Sequence, residues 1–522
     1  MGSTADTFDL DNIQGDVWPG FLKRYQIFIF FTIEDATTFK PVLKRLVDDK
    51  VITTAKDALT DRVAINKVAQ AQKGEPSKPG IVGSFLSLTE TTIKTIHDLL
   101  PDHNHIQKAQ GSSDVGLARS NIAFTNRGMA KLNKDLLFKD DPFLKGMYAD
   151  LHGEGRDREE QWLSAFKGGS VDGVINIAGT KQEVVEKAKH LVESYLGQKS
   201  IVTTIEGNER PGDKKGHEHF GYLDGVSQPL LKGLDDEAAT KPGAIPQRTR
   251  PGRLTYARII LFGHDGEMDN EPRLMHPAWA KDGSIMVFRK IKQLVPEFDR
   301  FLEAEAPKLH LTPDQLGARI VGRWKSGAPV QLHPWEDPVA KETDPEKKKE
   351  LATWNNIEYP TQDQFNCPFA SHMRKTKPRS VIGNEDKFDI MRRGIPYGVE
   401  MDVDEKKGPK SQKDRGLLFV CYQTSLSNGF QFIKNRWINP DTFPSGKKKF
   451  TGGKYPPGQD ALIGQSLKNP IEEDDKVLHI MIYDDHDKEH KRITFDPWIE
   501  AQGGDYFFTP SLKLLRELGA SA

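Results

Sequence analysis

The chain has 522 residues, 36% of them hydrophobic and 29% charged, a composition for a folded globular chain long enough to bury more than one core. Its 74 Lys and Arg nearly cancel 75 Asp and Glu, and a net charge of -1 argues against nucleic acid as the main partner. No run approaches the ~20 apolar residues of a membrane span, and two cysteines, Cys367 and Cys421, cannot form a disulfide framework.

The first residues, M-G-S-T-A-D-T-F, lack the basic and apolar regions of a signal peptide. The β-rich run Y-Q-I-F-I-F-F-T-I predicts a strand over 25–33. Phe39, Val42, Leu43 and Leu46 then repeat at helical spacing. Thr180 and Glu183 form a capping-box pattern ahead of Val184, Val185, Ala188, Leu191 and Val192. The Gly- and Pro-rich stretch 232–255 reads as a linker. A strand at 284–291 followed by a helix at 296–306 repeats the opening strand–helix unit. Thr312, Pro313 and Gln315 mark another helix start. Charged stretches at 336–350 and 402–415 read as solvated loops. Strands are expected at 416–423, 476–483 and 505–510. Irregular alternation of strands and helices points to an α+β fold.

Three segments could carry chemistry. In F-G-Y-L-D-G-V-S-Q-P, Asp224 lies between Gly221 and Gly225. An acid so placed either bonds its own turn or points into a pocket that the glycines let backbone approach. In N-C-P-F-A-S-H-M-R-K-T-K-P-R, His372 is followed by Arg374, Lys375, Lys377 and Arg379. A neutral histidine on a fixed element can be an axial haem ligand, with neighbouring cations for the propionates; Cys367 is the alternative ligand, as a thiolate. In I-M-R-R-G-I-P-Y-G, Arg392 or Arg393 could be held inward.

In this order, the three segments resemble the dye-decolorising peroxidase family, fungal type. G-L-L-F-V-C-Y-Q, N-I-Q-G-D, G-R-W-K-S-G-A-P and G-G-D-Y-F-F-T-P-S extend the resemblance over nearly the whole chain. The resemblance implies two ferredoxin-like domains, 1–235 and 236–522, in the dimeric α/β-barrel superfamily. It implies one haem b bound mainly by the second domain, with His372 on the iron and Arg374 nearby. Asp224 becomes the acid that moves the peroxide proton and Arg392 the charge-stabilising group, through a ferryl intermediate; Leu417 and Phe419 cover the haem.

Asp496, in I-T-F-D-P-W, resembles the acid that supports the ligand, with Asp505 as runner-up. Trp437, set among Lys434, Asn435, Arg436 and Asn439, is expected at the surface as an electron relay. Glu385, Asp386 and Asp389 are a candidate Mn2+ site, as hard oxygen ligands. His217 with His219, and His486 with His490 at helical spacing, are read as surface histidines that could mimic metal sites. The implied activity is peroxide-driven oxidation of anthraquinone dyes and phenols. A haem carrier or sensor without turnover is the alternative. An extracellular location follows from the resemblance, and a cytoplasmic one from the N-terminal sequence.

Overall fold

In a computed structural model, the described residues are 8–72, 118–136, 138, 140–151, 157–236, 249, 253–264, 277–383, 385–408, 410–465 and 477–520. The strands are β1 (Tyr25–Phe31), β2 (Ala118–Phe124), β3 (Gly173–Gly179), β4 (Ile201–Asn208), β5 (Ser284–Gln293), β6 (Met391–Arg392), β7 (Ile395–Tyr397), β8 (Gly416–Gln423), β9 (His479–Asp484), β10 (Glu489–Thr494) and β11 (Ile499–Thr509). The helices that matter here are α1 (Ala36–Asp48), α2 (Gln182–Leu196), α3 (Val295–Glu305), α4 (Pro313–Val321), α5 (His372–Thr376) and α6 (Leu512–Ala520).

One antiparallel sheet runs β4-β1-β3-β2-β11-β5-β8-β6, with β7 also on β8. Among β1 to β4 the spatial order is fourth, first, third, second. Taking β5 as first, β6 and β7 as second, β8 as third and β11 as fourth, the other half repeats that order. The ferredoxin-like arrangement is therefore present twice, each time opening with the strand–helix unit seen in the sequence.

The sheet curls into a barrel. Three strands separate β1 from β5, which on a flat sheet would put them roughly 19 Å apart at ~4.8 Å per strand. The rings of Phe28 and Phe288 are nevertheless 4.8 Å apart, and Phe30 lies 4.9 Å from Phe288. One seam is the pairing of β2 with β11 at Phe124 and Phe508. At the other, Gly207 of β4 passes Ile395 and Pro396 of β7 so closely that a Cβ would sit 2.6 Å from Ile395 Cγ2. Helix α1 packs on α6 outside, and Phe39 of α1 stacks at 5.4 Å on Phe31.

Strand alternation positions the site. On β8, Leu418 and Val420 are fully buried in the barrel core, while Leu417 and Phe419 turn to the opposite face and line a cavity. Arg289 and Ile291 of β5 and Ile499 and Ala501 of β11 line the same cavity.

Several local expectations need correction. The helix expected to start on Thr180 is capped by Lys181, with no side-chain cap bond. The box at Thr312 and Gln315 forms as expected. The stretch 402–415 is not simply a solvated loop, because Glu405 and Arg415 form a buried ion pair beneath it. Helices Pro338–Lys341 and Pro345–Thr353 occupy 336–350. Most of 232–255 lies outside the described residues.

Candidate active site

His372 opens the five-residue helix α5 and faces the cavity. Its Nδ1 lies 2.9 Å from Asp460 Oδ2. Asp460 is wholly buried, and its Oδ1 accepts from the N–H groups of Leu462 and Ile463, each at 2.9 Å. Locked by two amides, the carboxylate holds the proton on Nδ1 and leaves Nε2 as the free lone pair, the arrangement of an oriented metal-binding imidazole. Asp496, the expected partner, is exposed in the loop before β11. Asp505, the runner-up, accepts instead from the N–H groups of Met147 and Tyr506, and burial pushes its pKa up to about 6.

The neighbouring cations divide differently from expectation. Arg374 is fully buried, bonds the carbonyls of Cys367, Pro360 and Asp363, and lies over the rings of Phe369 and Tyr359. It holds a loop and is absent from the cavity lining. Lys375, buried, donates to the carbonyls of Pro440 and Phe443, and desolvation lowers its pKa to about 7. Lys377 and Arg379 do line the cavity. Cys367 is buried off the cavity, and burial pushes its thiol up, away from a thiolate ligand.

A second wall brings Asp224 and Arg392 together. Gly221 and Gly225 adopt φ of +94° and +71°, a left-handed backbone that the flanking glycines allow. Asp224 Oδ1 accepts from Gly225 N at 2.6 Å and from Arg392 Nη1 at 3.2 Å. Both readings of Asp224, turn residue and pocket acid, therefore hold at once. Arg392 also donates to the Ser227 carbonyl at 2.7 Å. Gln228 bonds the Arg392 backbone twice, at 3.1 Å each way, splicing the 220–229 loop onto β6. The side chains of Asp224 and Arg392 are 36% and 34% exposed, so a small solute reaches both. Arg393 turns the other way and bonds the carbonyls of Asp16, Val17 and Pro19.

The cavity holds about 350 Å³, with Leu417, Phe419, Phe430, Ile433 and Ile463 among its apolar lining. Trp437 belongs to this wall and not to the surface: it is 2% exposed. A π-helical turn, Ile433–Ile438, rotates it inward, where it stacks on Phe443 at 5.6 Å and meets Phe388 and Phe432 edge-on. Of the acids proposed for Mn2+, Asp386 pairs with Arg253 at 2.8 Å and Asp389 with Lys377 at 2.5 Å, while the Glu385 side chain lies outside the described residues. Two bound cations leave these carboxylates little negative charge for a metal ion.

His219 is buried with Nε2 on the Tyr397 carbonyl, and desolvation lowers its pKa to about 4. His217 bonds the Lys215 carbonyl. His486, exposed in the turn, and His490, half-buried on β10, sit on a β9–β10 hairpin, so their spacing is not that of a helix.

Residues 12–90 and 83–211 match the family described as DyP dimeric alpha+beta barrel domain, and 268–456 match Dyp-type peroxidase, C-terminal. Peroxidase 2 of Mycetinis scorodonius is 32% identical over 97% of this chain and 87% of its own length. The chain belongs to the dye-decolorising peroxidase family. Among solved structures, an ancestral D-type dye-decolorising peroxidase is 36% identical, with a TM-score of 0.75 over 98% of this chain and 100% of that one. A dye-decolorising peroxidase in complex with 2,6-dimethoxyphenol is 31% identical, with the same TM-score and coverage.

Dye-decolorising peroxidases are haem peroxidases, and the residues present fit a haem. The cavity is apolar, His372 offers one imidazole nitrogen, and Arg379 is buried on the wall with no partner for its Nε among the described residues. That orphaned donor suits a carboxylate at the edge of a flat macrocycle. Residues the motifs did not reveal are Asp460, Gln228 and Glu218. Glu218 is half-buried and accepts from the N–H groups of Phe220 and Tyr222 at 2.8 Å, shaping the turn that presents Asp224. No helix among the described residues is long and apolar enough to cross a membrane.

Proposed function

We propose that this peroxidase binds one haem b in the cavity through His372 Nε2 and uses hydrogen peroxide to oxidise dyes and phenols. The observation that carries the reading is a single cavity holding an imidazole fixed by a buried carboxylate and, on another wall, an acid paired with an arginine. Bound there, haem supplies an iron with an open face for peroxide and a store for its oxidising equivalents.

The chain's own residues supply the rest. Asp224 accepts the first peroxide proton and returns it to the departing oxygen, general acid–base work by one carboxylate. Arg392, a permanent guanidinium cation, faces the negative charge that develops as the O–O bond breaks. The Ser227 carbonyl and the Gln228 amide hold it in place before peroxide arrives. Leu417 and Phe419 narrow the pocket so that peroxide enters and a polycyclic dye does not. Asp460 keeps His372 oriented and basic. A haem carrier needs neither Asp224 nor Arg392, so their pairing favours turnover over carriage. By resemblance to fungal members, an extracellular location belongs to this reading.

Haem titration of the protein and of His372→Ala, followed by absorption, tests the ligand. Wild type should give a histidine-ligated ferric spectrum that changes on stepwise addition of peroxide. The His372→Ala protein should lose that spectrum and most haem affinity. A full histidine-type spectrum in the variant would remove His372 from the iron.

A further inference from the structure

The β9–β10 hairpin carries His486 to His310, which follows the short turn Ala306–Leu309 at the end of α3. The two rings stack with centroids 4.0 Å apart, and both side chains are exposed. Asp487 lies beside them: a ligand atom of each of the three residues lies within 4.8 Å of those of the other two. None of the three lines the cavity.

His310 is not a loose surface ring. Its Nδ1 lies 3.2 Å from Oδ2 of Asp484, whose side chain is wholly buried. Asp484 Oδ1 accepts from the His486 N–H at 3.0 Å, and Oδ2 pairs with Lys491 Nζ at 2.6 Å. An ionised carboxylate only accepts, so His310 Nδ1 carries the proton and Nε2 keeps its lone pair. Asp460 holds His372 by the same device. His486 Nδ1 in turn meets Asp487 Oδ1 at 2.7 Å. The plainer reading is that His310 and Asp484 merely tie the turn after α3 to the hairpin. That tie needs Nδ1 alone and explains neither the second imidazole stacked on the first nor the acid beside it. Lys491 is shared between Asp484 and Asp487, and Lys488 pairs with Asp485, so 484–491 keeps four acids against two lysines. Unlike the Asp386 and Asp389 cluster, this one offers neutral imidazole nitrogens, whose lone pairs no cation occupies.

We propose that His310, His486 and Asp487 form a surface site for a divalent transition-metal ion of the Zn2+ class, with Asp484 orienting His310. Two imidazoles and a carboxylate, completed by water, suit such an ion. Ca2+ and Mg2+ prefer oxygen ligands throughout. Zinc–ligand bonds of about 2.0–2.2 Å put ligand atoms roughly 3.4 Å apart. The exposed side chains of His486 and Asp487 close the remaining gap by rotating. The bound ion pins the hairpin to the turn after α3, joining segments far apart in sequence, and stabilises the folded chain by binding it alone. The site goes beyond the peroxidase reading and does not depend on it.

The test is equilibrium dialysis against Zn2+ followed by metal analysis, on the haem-loaded protein, in which His372 is engaged. Wild type should retain one Zn2+ more per chain than His310→Ala or His486→Ala. Asp484→Asn, which keeps an oxygen without the charge, should bind that ion about 10- to 100-fold more weakly, the usual cost of losing a partner of a metal-bound histidine. Zn2+ should raise the thermal unfolding temperature of wild type and leave that of His310→Ala unchanged, while Ca2+ should shift neither. Without metal, the two alanine variants should unfold as wild type does, since both positions are exposed. Equal Zn2+ retention in wild type and both alanine variants, or a Ca2+ shift matching that of Zn2+, overturns the site. Unchanged Zn2+ affinity in Asp484→Asn overturns the orienting role of Asp484.

Discussion

His372 has one ring nitrogen to offer because Asp460 engages the other. Replacing Asp460 by Leu removes the acceptor, leaves Nδ1–H unpaired and frees the ring to turn. Haem affinity should fall by about 10- to 100-fold, the usual cost of losing a partner of a metal-bound histidine. Asp460→Asn, which still offers an oxygen, should lose less; equal affinity in all three proteins would deny Asp460 this role. Asp460 was not legible in the sequence: it lies 88 residues from His372 and no local motif marks it. Asp224, His372, Arg392, Leu417 and Phe419, which line one cavity, could be singled out in the sequence because each sits in a short segment of the family pattern. Trp437 misled because two of its four polar neighbours are themselves buried, Lys434 against Asp157 and Asn439 beneath the same turn, while Arg436 alone is exposed. Asp505 makes a separate prediction. Burial raises its pKa from an ordinary 3.8 to about 6, so between those values the folded chain holds a proton that the unfolded chain has lost. Stability from this group is full below about pH 4 and is lost as pH rises through about 6. In Asp505→Asn, Oδ1 still accepts from Met147 and Tyr506, without the charge. The variant should match wild type at pH 4 and be more stable at pH 7.5, by up to about 3 kcal/mol. Thermal unfolding at the two pH values measures this; a variant less stable at pH 7.5 would contradict it.

At the level of single elements, strand content was readable and its environment partly so. The run at 416–423 became β8 with the expected bounds, and its period-two alternation sends Leu417 and Phe419 to the cavity and Leu418 and Val420 to the core. The closing contact between β4 and β7 was not readable, because it depends on Gly207 meeting residues almost 190 positions away. A side chain there has no room: its Cβ would lie 2.9 Å from the Pro396 carbonyl as well as against Ile395. Gly207→Val should therefore cost about 1–3 kcal/mol by overpacking. Urea unfolding of the haem-free protein tests it, and unchanged stability would mean that the seam is loose.

The whole molecule joins its two halves more closely than a two-domain sequence reading implies. The interior aromatic cluster mixes Phe28 and Phe30 of the first half with Phe288 and Phe507 of the second. Residues 1–235 made alone would expose these rings and two unpaired sheet edges, β2 and β4. That fragment should aggregate or lack a sharp unfolding transition in near-ultraviolet circular dichroism; a cooperative, monomeric fragment would show the halves to be independent. The same closure assembles the site, since Gln228 and Asp224 come from the first half and Arg392 from the second. Ordered motifs could place these residues on a list but not in contact, because the contact is a product of barrel closure.

On the proposed reading, Asp224 and Arg392 act together on peroxide above a haem held by His372. Stopped-flow absorption of haem-loaded wild type, Asp224→Asn and Arg392→Leu with hydrogen peroxide tests it most directly. Both variants should bind haem with the wild-type resting spectrum. Each should react with peroxide more slowly, the Asn variant by about 10²-fold or more, the usual worth of a positioned acid–base group. Two variants that react at the wild-type rate would contradict the account.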